Sequence, residues 1–267
     1  MIIIGEKING TIPATAKAIA DRDAAYIAEL AVKQSEAGAD YIDVCASTAP
    51  EDELATLEWL INIVQSAVDT PICIDSPNPQ RIKEAYEFTN KPGLINSVSL
   101  EGDKTEVIFP LIAQTQWGCV ALLCDNDGIP ATVARRLEIA REIVERAAAY
   151  GIGPDRLYID PVVMALSTDG ASMSKFVECC LSLRAEFPQI HITSGLSNIS
   201  FGLPVRRSVN QAFLILAMGA GMDSAILDPL DREMLAALLS TDALLERDKH
   251  CRKFTNAYRQ GRIGQRR

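Results

Sequence analysis

Carboxylates and carboxamides fall at the ends of short β-branched runs all along this chain. In order they are Glu6 with Asn9, Asp43, Asp75, Asn96, Asp125 with Asn126, Asp160, Ser197 with Asn198, and Asp228. Ser197 and Asn198 sit in Gly195-Leu-Ser-Asn-Ile-Ser-Phe-Gly202. This small polar loop follows the run Ile190-His-Ile-Thr-Ser194 and leads through Arg206 into an apolar, helix-like segment. An Asn amide offers both a donor and an acceptor, whereas an ionised carboxylate only accepts. Side chains of these types converging on one mouth suit a polar heterocycle that carries N–H donors and ring acceptors. Asp, Asn and Ser also cap helix N-termini, and that simpler reading serves Asp125, Asp127 and Asp228 at least as well. Asp75 and Asp160 differ, because each closes an apolar run before a proline-containing turn, Ser76-Pro77 and Pro161. A carboxylate buried there must find donors, or its pKa rises until it is neutral.

The elements that must position these groups read as eight strands: Ile2–Ile4, Tyr41–Cys45, Ile72–Asp75, Gly93–Val98, Cys119–Cys124, Leu157–Asp160, Ile190–Ser194 and Ser224–Leu227. Segments of helical period lie between them, such as Leu54, Leu57, Ile61, Val64 and Ala67, or Val133, Leu137, Ala140, Val144 and Ala147. Strands alternating with helices predict a parallel sheet with right-handed crossovers. Closed on itself, that sheet is a (β/α)8 TIM barrel, whose functional face lies at the C-terminal ends of the strands. An open doubly wound sheet is the alternative. Its first turn normally reads G-x-G-x-x-G, whereas this chain has Gly5-Glu-Lys-Ile-Asn-Gly10.

Composition agrees with a single barrel. The chain has 267 residues, of which 48% are hydrophobic and 23% charged. The apolar run Ala212–Met218 is far shorter than the ~20 residues a membrane span needs, and Met1-Ile-Ile-Ile-Gly5 has no basic segment of the kind that starts a secretory leader. No membrane association and a cytoplasmic location are the expectations. Seven cysteines without a C-x-x-C pair and only two histidines read as buried thiols and no metal site. Net charge is −9, with eight Lys or Arg and one Asp after Glu246. The division expected is a barrel over residues 1–246 and a basic C-terminal extension over 247–267. An acidic body does not suit nucleic acid. The extension could meet an acidic partner or fold on the body, and a solvated, frayed end is the favoured reading.

The motifs Gly5-Glu-Lys-Ile-Asn9, Ile74-Asp75-Ser76, Ile95-Asn96-Ser97, Tyr158-Ile-Asp-Pro161 and Gly195-Leu-Ser-Asn198-Ile-Ser occur in this order over most of the chain. In them the chain resembles the pterin-binding methyltransferases, in particular methyltetrahydrofolate:corrinoid protein methyltransferases. The folate domain of cobalamin-dependent methionine synthase and dihydropteroate synthase are more distant relatives. The resemblance implies a dihydropteroate synthase-like pterin-binding barrel with methyltetrahydrofolate or tetrahydrofolate as substrate and no permanently bound cofactor. It also implies a corrinoid (cobalamin) supplied by a partner protein, and a homodimer. Asp75, Asn96 and Asp160 would hydrogen-bond the pterin ring, with Glu6, Asn9, Asp43, Asn126 and Ser197 in the same site. Asn198 would face N5, Phe201 the benzoyl ring, and Arg206 the folate tail or the local network.

By the same resemblance, Asn198 and Asp160 carry the catalysis: the Asn198 amide stabilises the N5-protonated species, while Asp160 and water complete the network. The chain has no D-x-H-x-x-G corrinoid signature around His191 or His250. Two rivals stand beside this reading. A dihydropteroate synthase uses a Lys and an Arg after strand seven, where this chain reads Ser197-Asn198-Ile199. A non-catalytic folate-binding module is the other.

Overall fold

The computed structural model describes residues 1–264. Within them lie eight parallel strands: β1 (Ile2–Asn9), β2 (Tyr41–Cys45), β3 (Ile72–Asp75), β4 (Leu94–Leu100), β5 (Gly118–Asp125), β6 (Leu157–Asp160), β7 (His191–Ile192) and β8 (Ser224–Leu227). The helices around them are α1 (Pro13–Ala20), α2 (Ala24–Ala37), α3 (Glu53–Ala67), α4 (Pro79–Tyr86), α5 (Lys104–Ile112), α6 (Val133–Ala149), α7 (Ser172–Glu186), α8 (Arg206–Gly219), α9 (Arg232–Leu244) and α10 (Arg252–Arg259). The strands run β7-β6-β5-β4-β3-β2-β1-β8. The two ends meet through Asp223 N–H to the Ile192 carbonyl (3.2 Å) and Ile226 N–H to the Ser194 carbonyl (3.0 Å). The expected TIM barrel is therefore present, with its seam beside the Gly195 loop. The seventh strand is shorter than expected, because only two residues of it join the ladder.

Side chains of a strand alternate between its two faces, and here the alternation divides the core. Ile42, Val44, Ile72, Ile74, Ile95, Leu157 and Ile159 face outward and pack with the helices. A smaller inner cluster fills the barrel with Ile4, Cys73, Leu94, Val120 and Tyr158, flanked by Ile2, Tyr41, Leu122 and Ile226. The residue two positions after an inner apolar one is also inward, but nearer the mouth. Glu6, Asp43, Asp75, Asn96 and Asp160 each stand two residues beyond a member of that cluster.

Local signals account for the helix boundaries. Asp23 accepts from Tyr26 N–H to cap α2, which ends at Gly38 in the left-handed region (φ 97°). Thr132 caps α6 and Asp231 caps α9. Asp125 and Asp228 instead stabilise turns, accepting from Asp127 N–H (3.0 Å) and Leu230 N–H (2.9 Å). The buried face of α6 is centred on Arg136, Ile139, Ala140 and Ile143, which leaves the expected Leu137 and Val144 at its margins.

Fraying of the basic extension is not what the structure shows for its described part. Residues Arg252–Arg259 are helical, and Ala257 and Ile263 are buried in the main core. Asp248 accepts from Lys253 and Phe254 N–H (both 2.9 Å), and Arg262 reaches the Ala37 carbonyl at 3.1 Å. Apolar contacts of Phe254, Ala257 and Ile263 and a few bonds to backbone groups hold this segment down, too sparse a pattern to read from its charge.

Candidate functional site

The mouth of the barrel opens onto a cavity of about 570 Å³ lined by Glu6, Asn9, Asp43, Asp75, Asn96, Ser197, Asn198 and Arg206, together with Thr11, Ile12, Gly195, Arg207, Asn210 and Ile226. That volume suits a ligand the size of a drug or cofactor. Eight of the residues expected from the sequence are thus gathered in one wall.

Glu6 is aimed into the cavity by a bulge in β1. Gly5 pairs with Ile42 and Ile8 with Val44, so three steps on β1 match two on β2. A bulge leaves one backbone donor off the ladder. Lys7 N–H finds its acceptor in Oε1 of fully buried Gln34 from α2, at 3.0 Å. The Lys7 ammonium pairs with Asp228 at 3.0 Å. No hydrogen bond to the Glu6 carboxylate occurs among the described residues.

Asp43 is buried and accepts from the Asn96 amide at 3.3 Å. Burial, reinforced by the nearby Asp75 charge, pushes its carboxyl well above the usual range. Asp75 is raised as well, mainly by burial, although the Cys45 thiol opposes the shift. Glu6 is pushed up to about 7, first by burial and then by Asp228. The cavity therefore concentrates carboxyl groups that protein donors satisfy only in part. A ligand bearing N–H donors supplies what they lack.

The wall beyond β7 is built by the Gly195 loop, a 3-10 turn over Leu196–Ser200. Arg206, at the start of α8, donates to the Ser197 carbonyl (2.7 Å) and to Ser200 Oγ (3.0 Å), which holds the turn closed. Asn198 is solvent-facing, and its side-chain amide makes no hydrogen bond among the described residues.

Three expected residues lie outside the cavity lining. Asp160 is buried and spends its carboxylate on Val162 N–H (2.7 Å) and Gly195 N–H, with a pKa raised to about 6 by burial. It touches the site through Gly195. Asn126 is exposed and accepts from Gly102 N–H at 2.9 Å, bridging two loops. Phe201 is 69% exposed on the rim, its ring centroid 6.0 Å from the Arg206 guanidinium.

Sequence reading missed Asn210, which lies four residues, about one helical turn, after Arg206 on α8. It lines the cavity, and its buried Oδ1 has no hydrogen-bond partner among the described residues. The i, i+4 spacing from Arg206 was the available signal. Thr11 and Arg207 gave none, since each reads as an ordinary surface residue.

The mouth of the eight-stranded barrel thus joins buried acceptors to free amides. The chain belongs to the pterin binding enzyme family, which it matches over residues 8–228. It is 53% identical over 266 residues, 99% of this chain and 98% of the relative, to a methylcorrinoid:tetrahydrofolate methyltransferase of Eubacterium limosum. It is 29% identical over 239 residues to methionine synthase of Mycobacterium tuberculosis, a match covering 85% of this chain and 20% of that protein. Dihydropteroate synthase of Yersinia pestis superposes with a TM-score of 0.66 at 16% identity, covering 92% of this chain and 93% of that one. The Xanthomonas albilineans synthase in complex with 7,8-dihydropteroate gives 0.67 at 17%, with 92% of each chain covered. At such identities the two synthases speak for the fold alone.

Proposed function

We propose that this protein is a methyltransferase that moves a methyl group between the cobalt of a corrinoid, carried on a separate protein, and N5 of tetrahydrofolate. The observation that carries this reading is the 53% identity, end to end, with a relative of that activity. The cavity supports it. Asp75 and Asn96 offer an acceptor and an amide for the N–H groups and carbonyl of a pterin. Asp160 holds the Gly195 turn in place, Arg206 braces Ser197, and the free amide of Asn198 faces the reacting nitrogen. Phe201 on the rim offers a surface for the benzoyl ring.

In the direction named by the relative, the N5 lone pair takes the methyl carbon. The cobalt–carbon bond breaks with its electron pair left on the metal, and N5 loses its proton. Positive charge grows on N5, and the carbonyl dipole of the Asn198 amide stabilises it electrostatically without taking the proton.

The expected homodimer finds support on α7 and α8. Phe213, Leu214, Ala217 and Met218 face the core, but Leu181, Ile215 and Leu216 are exposed at 55%, 45% and 56%. The apolar stretch thus serves the core with one face and leaves another uncovered.

The test mixes the purified protein with methylcob(III)alamin and tetrahydrofolate and measures methyltetrahydrofolate. Protein-dependent formation of that product is expected. A folate-binding module gives none, and a synthase instead condenses p-aminobenzoate with a pterin pyrophosphate.

A further inference from the structure

We propose that Glu6 is the base that takes the N5 proton as tetrahydrofolate is methylated, an assignment that rests on the methyl-transfer reading above. N5 of tetrahydrofolate carries one hydrogen. When its lone pair bonds the methyl carbon, the nitrogen holds four bonds and a positive charge. The neutral product forms only when the N–H electron pair returns to nitrogen and the proton leaves. Asn198 can stabilise that charge, but an amide does not take up a proton at neutral pH.

Within the protein, the group that receives it must be a carboxylate that reaches the cavity with free lone pairs. Asp160 is outside the lining and bound to two backbone N–H groups. Asp43 is buried and engaged by Asn96 and the Cys73 thiol. Asp75 is engaged by the Cys45 thiol. Glu6 lines the cavity with no hydrogen-bond partner among the described residues. It also lies on the side of the reacting amide. Arg206, which grips the Ser197 carbonyl next to Asn198, is near enough for its charge to act on Glu6. The β1–β8 pairing and the Gly195–Ile226 bridge place β1 next but one to the same turn.

The charges around Glu6 tune it for this task. Lys7 stands beside it on β1, Asp43 faces it from β2, Asp228 from beyond β8 and Arg206 from α8, while α2 presents the neutral Gln34. Burial and Asp228 outweigh the two cations, and the carboxyl is pushed up to about 7. A base works best with a pKa near the pH at which it operates. In the reverse direction the same carboxyl, protonated, returns its proton to N5 of methyltetrahydrofolate as the methyl group leaves.

The test follows methyl transfer from methylcob(III)alamin to tetrahydrofolate across the range around neutrality, with tetrahydrofolate affinity measured by calorimetry. For the wild type the rate should rise with pH through an inflection near 7, as Glu6 ionises. Glu6→Gln should lower the plateau rate by about 10²–10⁴-fold and abolish the inflection, with tetrahydrofolate affinity falling far less than the rate. An inflection that survives in a well-folded Glu6→Gln, or an affinity lost in step with the rate, overturns the assignment. Glu6→Asp keeps a carboxylate and should keep a pH-dependent, slower rate even where Glu6→Gln folds poorly; a pH-independent rate in Glu6→Asp also overturns it. A wild type that transfers no methyl group removes the methyl-transfer reading and this role with it.

Discussion

Asn198 and Asp75 both line the cavity, yet their side chains are placed for different work. Asn198 is exposed with a free amide on the Gly195 turn, whereas Asp75 is a half-buried carboxylate at the end of a strand. Losing an interaction made only as charge develops lowers the rate without weakening substrate binding. Asn198→Ala should therefore cut methyl transfer by at least tenfold while tetrahydrofolate affinity changes little, a loss of about 1.4 kcal/mol or more in barrier terms. Asp75→Asn replaces an acceptor by an amide and should weaken affinity first. Stopped-flow rates and calorimetry on the two variants separate these effects; matched losses in Asn198→Ala would remove its role at N5. The types and spacing of these residues were legible in the sequence, because Asp75 stands two positions beyond inward Cys73 and Asn198 falls in a polar loop directly after the seventh strand. Whether a given one reaches the cavity was not. Asp160 obeys the same spacing, but two backbone donors engage it first.

At the scale of elements, the site depends on how β1 departs from regular pairing. The bulge between Gly5 and Ile8 brings Glu6 and Lys7 to the mouth, and Gln34 of α2 satisfies the freed Lys7 N–H. Space behind the bulge is tight, since a Cβ on Gly5 would lie 2.5 Å from Gln34 Oε1. Gln34→Leu removes the acceptor from a buried position, and an unmet backbone donor costs about 1–3 kcal/mol. Urea denaturation should show a loss of that size, with methyl transfer falling beyond it as Glu6 shifts. An unchanged midpoint would mean that Gln34 does not hold the bulge. The eight strands and their order were readable from β-branched runs. The bulge was not, because it depends on a side chain 27 residues away in sequence.

For the molecule as a whole, the cavity carboxylates set a pH dependence. Carboxyls in an unfolded chain titrate near 4. In the fold, Glu6 titrates at about 7 and Asp160 at about 6, and Asp43 and Asp75 are also raised, all chiefly by burial. A raised folded pKa means that the native state holds its protons more tightly than the unfolded chain. The stability this confers is complete below about 4 and is lost as pH rises through 6 to 7. Surface carboxylates such as Asp125, Asp169 and Glu186 are shifted down and stay ionised over that window. Ligand-free protein should therefore melt at a higher temperature at about pH 5 than at about pH 8. Tetrahydrofolate, by giving these carboxylates N–H donors, should stabilise the protein most at the upper end. Calorimetry across the interval checks both, and a melting temperature that climbs with pH in the absence of ligand would contradict the first.

Sequence by itself determined the period of each element, and with it which side chains face inward at the mouth. It also carried the motifs of the pterin-binding family, because alternation and strand order are local or sequential properties. Only the tertiary structure decided which polar groups remain free. Hydrogen-bond donors reach Asp160 from Val162 and Gly195 and occupy Asn126 through Gly102, while Glu6, Asn198 and Asn210 are left open toward the cavity. It also folded the described part of the basic extension against the barrel, through Ala257 and Ile263. Satisfaction of a polar group depends on partners brought together from distant elements, which no pattern along one chain specifies.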